Sequence, residues 1–195
     1  MLLITSYENS LIDFKNPSGT TLKTWALGYE PTGITTLGTT IVIADYTNSA
    51  LKFHNAAGTL LKTWTLGYQP YGITTLDTTI VITNYTNFAL KFYNAAGTLL
   101  KTWALEYPPY DITTLGTTIV IADYTHSALK FHNAAGTLLK TWTLGYQPFG
   151  IATLGTTIVI ADYTNSALKF HNAAGTLLKT WALGYRARPI CFQGN

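Results

Sequence analysis

Residues 31–69 read PTGITTLGTTIVIADYTNSALKFHNAAGTLLKTWTLGYQ, and the rest of the chain is a set of variations on this stretch. Trp25, Trp64, Trp103, Trp142 and Trp181 recur at a spacing of 39 residues across the 195. Repeats of this size mean an array of supersecondary units, so the fold follows from what one unit can form. Gly33–Leu37 is short and rich in β-branched residues, and Thr39–Asp45 centres on Ile41-Val42-Ile43. Ala50–Asn55 alternates, with Leu51 and Phe53 on one face and Lys52 and His54 on the other. Thr59–Leu66 alternates too, with Leu60, Lys62, Trp64 and Leu66 opposite Leu61, Thr63 and Thr65. A period of two residues is that of strands, not helices. Gly38, Thr47-Asn48, Asn55-Ala56-Ala57-Gly58 and Gly67-Tyr68-Gln69-Pro70 punctuate the runs. Each unit therefore reads as four short antiparallel strands, a, b, c and d.

A four-stranded unit of this length is the size of a β-propeller blade. Strand b is apolar at successive positions and needs cover on both faces, which neighbouring blades supply. The competing architecture, an open solenoid, calls for polar capping repeats. Leu2-Leu3-Ile4-Thr5-Ser6-Tyr7 aligns with Ile41–Tyr46, so the chain starts at strand b, whereas residues 187–195 align with 148–156 and supply only strand a. The expectation is an all-β, five-bladed propeller in a single domain. Its blades are 31–69, 70–108, 109–147, 148–186, and 187–195 joined with 1–30. Pairing of Ile190-Cys191-Phe192 with the N-terminal strand closes the ring and removes open edges. Trp64, Trp103 and Trp142 are expected to be largely buried between blades.

The run Pro70-Tyr71-Gly72-Ile73, Ile80-Val81-Ile82, Asn84-Tyr85-Thr86-Asn87, Leu90-Lys91-Phe92 and Gly97 resembles an NHL repeat. That family's unit is roughly Pro-x-Gly before Ile or Val, an apolar strand, Ala or Val before Asp-x-x-Asn, a second strand ending in Phe or Val, and a closing Gly. The likeness recurs through residues 31–175 and is weaker in the N-terminal portion. The resemblance implies a propeller, most often of six blades, so five is a departure. It also implies binding of proteins or RNA, with some enzymes among the members, and no enzymatic motif of the family is present to carry over.

Charged residues are only 11% of the chain, with a net charge of +3. Lys52, Lys91, Lys130 and Lys169 fall on strand c, and Lys23, Lys62, Lys101, Lys140 and Lys179 on strand d. Such thinly spread charge on outer strands reads as a solubilising, edge-protecting belt, so no nucleic-acid partner is expected. No stretch approaches the apolar length of a membrane span, and Met1-Leu2-Leu3-Ile4 is too short and lacks the basic start of a signal peptide. The one cysteine, Cys191, excludes an intrachain disulfide and leaves the compartment open. Asn84-Tyr85-Thr86 is a glycosylation-type triplet, weak as a single instance.

Loop placement nominates one face. The d–a linkers and b–c loops open together there, bringing Tyr29, Tyr68, Tyr107, Tyr146 and Tyr185 from the linkers and Tyr7, Tyr46, Tyr85, Tyr124 and Tyr163 from the loops. The candidate ligand-binding residues are Tyr46, Tyr85, Tyr124, Tyr163, Tyr29, Tyr68, Tyr107 and Tyr146, with Asn48, Asn87 and Asn165 as hydrogen-bonding groups. The blades also vary here: Thr32, Tyr71, Tyr110 and Phe149 share one position, Glu30, Gln69, Pro108 and Gln147 another. Asp45, Asp123 and Asp162, with Asn84 and Ser6 in register, supply one carboxylate per blade, too dispersed for a calcium shell. They read as acceptors for the turn into strand c. His54, His132 and His171, with Tyr93 and Lys15 in register, do not converge as zinc ligands and read as surface residues. No serine, cysteine or carboxylate shows catalytic spacing, so neither metal nor cofactor is expected. The chain reads as a non-enzymatic binding module for a carbohydrate or another polar ligand. The alternative is a recently amplified or designed scaffold that contacts proteins through repeated blades.

Overall fold

The computed structural model describes residues 1–186 and 188–192; of the closing segment expected at 187–195, residues 187 and 193–195 lie outside them. In chain order the strands are β1 (Leu2–Ser6), β2 (Leu11–Lys15), β3 (Thr21–Ala26), β4 (Pro31–Leu37), β5 (Thr40–Asp45), β6 (Ala50–His54), β7 (Leu60–Thr65), β8 (Ile73–Leu76), β9 (Thr79–Asn84) and β10 (Ala89–Tyr93). They continue as β11 (Leu99–Ala104), β12 (Asp111–Leu115), β13 (Thr118–Asp123), β14 (Ala128–His132), β15 (Leu138–Thr143), β16 (Pro148–Leu154), β17 (Thr157–Asp162), β18 (Ala167–His171), β19 (Leu177–Ala182) and β20 (Ile190–Phe192). They form five four-stranded antiparallel sheets, a five-bladed propeller. Blade 1 is β20-β1-β2-β3, and blades 2 to 5 are β4–β7, β8–β11, β12–β15 and β16–β19. Closure is by Leu2 opposite Phe192, Leu3 opposite Cys191 and Ile4 opposite Ile190, as the complementary ends led one to expect.

The two-faced burial of strand b builds the core. Val42 and Ala44 on β5 pack into one apolar cluster with Ile73, Ile80 and Ile82 of blade 3. Ile41 and Ile43, on the other face of the same strand, pack with Leu3, Ile12 and Phe14 of blade 1. Five such clusters occupy the five seams, and the core is therefore a ring of interfaces between blades.

Each c–d turn is held by one asparagine. Asn55 Oδ1 accepts the Ala57 and Thr59 amides at 3.0 and 2.9 Å, and Gly58 takes φ 91°, a conformation glycine adopts without strain. Gly58 is also needed for packing, because a Cβ there would lie 3.2 Å from the Trp25 ring of the preceding blade. Trp64 faces Gly97, Trp103 faces Gly136, Trp142 faces Gly175 and Trp181 faces Gly19, so each tryptophan covers the next blade's turn all the way round. The tryptophans are half-buried rather than the largely buried residues expected, because strand d is the outermost strand and has no cover on its far side. Lys62 Nζ instead lies 4.6 Å over Phe53 and 4.4 Å over Trp64, a cation–π contact repeated in every blade.

Candidate functional site

The b–c turns fix the upper face. Asp45 Oδ1 accepts the Asn48 amide at 3.1 Å and Oδ2 accepts Asn48 Nδ2 at 2.8 Å; Asp162 and Asn165 repeat both bonds. The turn-acceptor role expected of these aspartates is thus what they perform. The strand-c lysines complete it: Lys52, Lys130 and Lys169 reach Asp45, Asp123 and Asp162 at 3.5, 4.0 and 3.1 Å. These lysines sit half-buried against linker tyrosines, Lys169 Nζ being 3.9 Å from the Tyr146 ring centroid. They are therefore tied between blades, and only the exposed strand-d lysines form the expected rim belt. Asn48 and Asn165 likewise spend their amides within the turn, where the sequence suggested ligand contacts.

The two sets of tyrosines part company. The linker tyrosines Tyr29, Tyr107 and Tyr146 run down between blades, and their hydroxyls donate to His54, His132 and His171 Nε2 at 3.1, 2.8 and 2.9 Å. The tautomer follows from the partners. Each histidine Nδ1 faces a glycine carbonyl of its own c–d turn (Gly58, Gly136, Gly175), which can only accept, so Nδ1 carries the hydrogen. Tyr68 meets Tyr93 at 3.2 Å, and Tyr185 donates to Asp13 at 2.7 Å. Burial, as the largest cause, pushes all five linker phenols well above their ordinary value. The histidines expected at the surface are consequently interior, 5–7% exposed. A register shift beside each, between Phe53 and His54 and at its repeats, falls where strand c meets the c–d turn. Burial depresses the His132 pKa, with Lys130 adding to the effect against the raising hydrogen bond to Gly136.

Tyr46, Tyr85, Tyr124 and Tyr163, with Tyr7, come together at the mouth of the ring. Between them stand Tyr71, Tyr110 and Phe149 from the starts of the innermost strands, a position whose variation was visible in the sequence but whose aromatic surroundings were not. Centroid separations run Tyr7–Tyr46 6.1 Å, Tyr46–Tyr71 5.4, Tyr71–Tyr85 4.9, Tyr85–Tyr110 5.0, Tyr110–Tyr124 4.7, Tyr124–Phe149 5.7 and Phe149–Tyr163 5.0. Most pairs are edge-to-face or offset, the favoured arrangements of ring quadrupoles. Burial, ahead of the Tyr46 charge, pushes Tyr71 up to about 12. The result is a filled aromatic platform, not eight separate rings.

The fifth sector is charged. Arg188 stands at the position of Thr32, Tyr71, Tyr110 and Phe149, with its guanidinium 4.0 Å from the Tyr7 centroid and 4.7 Å from Phe149. Arg186 lies 4.9 Å over Tyr163. Across the gap, hydrogen bonds from Thr47 (2.8 Å) and Tyr7 hold the Glu30 carboxyl below its ordinary range. At the equivalent position in blade 2, Thr32 is small and buried, its hydroxyl donating to Pro70 O at 2.8 Å.

No family model and no curated protein matches the chain. Solved structures do. Virginiamycin B lyase from Staphylococcus aureus superposes with a TM-score of 0.62 at 15% identity, covering 98% of this chain and 71% of that one. A nidogen/laminin complex gives 0.67 at 17%, covering 97% and 82%, and a protein of unknown function from Bacteroides caccae gives 0.63 at 14%, covering 93% and 72%. The shared feature is the propeller. At such low identity the likeness carries the fold alone, and propellers of this shape include a lyase as well as a partner in a protein complex.

Two residues beneath the platform bear on chemistry. Asp111 stands where blades 2, 3 and 5 carry Gly33, Gly72 and Gly150, is 2% exposed and accepts the Ile151 amide at 2.8 Å. Burial drives its pKa well up, against the lowering effect of the Ile151 and Ile112 amides. Burial likewise pushes the Cys191 thiol to about 12, with the Asp111 charge contributing, so it is a poor nucleophile at neutral pH. Among the described residues no three His, Cys, Asp or Glu side chains gather where a metal could bind. Asn84, the glycosylation-type acceptor, is 1% exposed and inside the blade.

Proposed function

We propose that the protein is a non-enzymatic binding module, NHL-like in its repeat, which takes a polar, ring-shaped ligand such as a carbohydrate on the aromatic platform. The continuous run of packed rings from Tyr7 to Tyr163 carries this reading. Sugars offer C–H faces to aromatic rings and hydroxyls to phenols, and a few polar groups among apolar ones are the usual make-up of ligand sites. The platform is one central surface, so a ligand meets Tyr46, Tyr71, Tyr85, Tyr110 and Tyr124 together, where the sequence suggested one shallow site per blade. The non-enzymatic reading is supported by the engagement of the acids and histidines in turns and seams. The linker tyrosines act in this reading as struts that brace the blades beneath the platform.

The test is calorimetric titration with mono- and oligosaccharides of the parent, a Tyr46→Ala/Tyr163→Ala variant and a Tyr110→Ala variant. Binding stronger than about 1 mM that weakens at least about tenfold in both variants is expected. Absence of sugar binding, or unchanged binding in the variants, favours a scaffold that meets proteins through the same face.

A further inference from the structure

Three departures from the repeat meet at one seam on the lower half of the ring. The position before the apolar run of strand b is Thr40, Thr79, Thr118 and Thr157 in blades 2 to 5 but Met1 in blade 1. The c–d turn carries Ala56, Ala95, Ala134 and Ala173 there, but Pro17 in blade 1. Strand a carries Thr36, Thr75, Thr114 and Thr153 there, but Phe192 in β20. These three larger, more apolar residues all turn toward blade 5, and with Phe170, Leu178 and Trp181 they line a groove of about 410 Å³. Its base is Leu2 and Phe170, 2% and 5% exposed. Leu154 and Leu178 stand open at its edge, 53% and 56% exposed. Lys179 lies at the same edge, its Nζ poised 4.5 Å over Phe170 and 4.3 Å over Trp181. None of the ion pairs among the described residues engages Lys179.

We propose that this groove is a second binding site, for an amphipathic carboxylate such as a medium-chain fatty acid. Carbon walls favour an alkyl chain in proportion to the apolar area it covers. The lysine sets the sign of the head group: a carboxylate gains a charge-assisted hydrogen bond, an alcohol a weaker one, and a quaternary ammonium a repulsion. The site is independent of the platform, which lies at the other end of the blades.

The experiment titrates the full chain by calorimetry with decanoate, decanol and decyltrimethylammonium, each below its micellar concentration. In parallel, 11-bromoundecanoate is followed by quenching of tryptophan emission. Decanoate should bind more tightly than about 1 mM and at least about fivefold better than decanol, with no cation binding. Lys179→Gln should erase the preference for decanoate and leave decanol unchanged. Phe192→Thr, which installs the residue of the other blades, should weaken both about tenfold. The brominated acid should quench only a fraction of the emission, and Trp181→Phe should remove that quenching while calorimetric binding persists. Circular dichroism checks that each variant keeps the fold. The proposal fails if decanoate does not bind below about 1 mM or if Lys179→Gln leaves the preference intact. It also fails if binding appears only after removal of residues 193–195, since the groove would then be a seat for the chain's own tail.

Discussion

Asn84→Asp should stabilise the protein, an unusual direction for a change to a fully buried residue. In blades 2, 4 and 5 this position is a carboxylate that accepts the turn amide and meets a lysine at 3.1–4.0 Å. In blade 3, Asn84 Oδ1 accepts the Asn87 amide at 3.2 Å, but Nδ2 is buried without a partner. Turning the amide over does not help, because the Asn87 N–H then faces a second donor. Lys91 has no carboxylate to meet and donates to Thr102 at 3.3 Å instead. An unsatisfied buried donor costs about 1–3 kcal/mol, and replacing it with an acceptor recovers much of that. The new Asp–Lys91 pair adds to this, offset by desolvation of the carboxylate. A net gain of about 1–2 kcal/mol is expected, read as a higher urea midpoint at unchanged slope. In a double-mutant cycle, Lys91→Met should remove part of the gain. A destabilised Asn84→Asp protein, or a gain indifferent to Lys91, would refute the assignment of this carboxylate as the organiser of the b–c turn.

Trp103→Ala should cost about 2 kcal/mol in urea unfolding, below the 3–5 of a core tryptophan, because the ring is half-buried over Gly136. A loss under about 0.5 kcal/mol would remove the tryptophan from the seam. Phe88 takes a left-handed φ of 49° while 43% exposed, so Phe88→Asn should stabilise by about 1 kcal/mol, measured as a shift in midpoint. Asp111 has its folded pKa raised above the ordinary 3.8, so the folded state binds its proton more tightly than the unfolded chain does. The stability linked to that proton is complete below about pH 3.8 and is lost as pH rises through the raised folded value. Asp111→Asn should abolish that part of the pH profile in denaturant titrations across the window, and an unchanged profile would mean that Asp111 is not the group titrating.

The blade was legible because its four strands differ in kind. Ile41-Val42-Ile43 announces a strand covered on both faces, Leu51–Phe53 one that alternates, and the 39-residue period sets the count. Closure was legible because the first unit starts at strand b with Leu2–Ser6 and lacks strand a, whereas the last segment, with Ile190–Phe192, supplies only strand a. Side-chain direction was not. Tyr29 and Tyr46 both belong to loops of one face, yet only the structure shows Tyr29 turning down to His54 while Tyr46 joins the platform. His54 looked exposed because it ends an alternating strand; the register shift beside it could not be seen in periodicity alone. Arg188 shares the register of Tyr71, Tyr110 and Phe149, and that alignment was the available signal for the charged sector.

Around the axis, the innermost positions of the platform read Thr32, Tyr71, Tyr110, Phe149, Arg188. No turn by one blade maps that order onto itself, although the seams below repeat the same cyclic plan. A ligand centred on a perfectly five-fold surface would have five equal poses and no reason to prefer one. Here the small residue and the cation stand side by side, opposite the rings, so the surface has a heading. In the proposed reading, a molecule with an apolar and an anionic end would lie on this surface in one orientation.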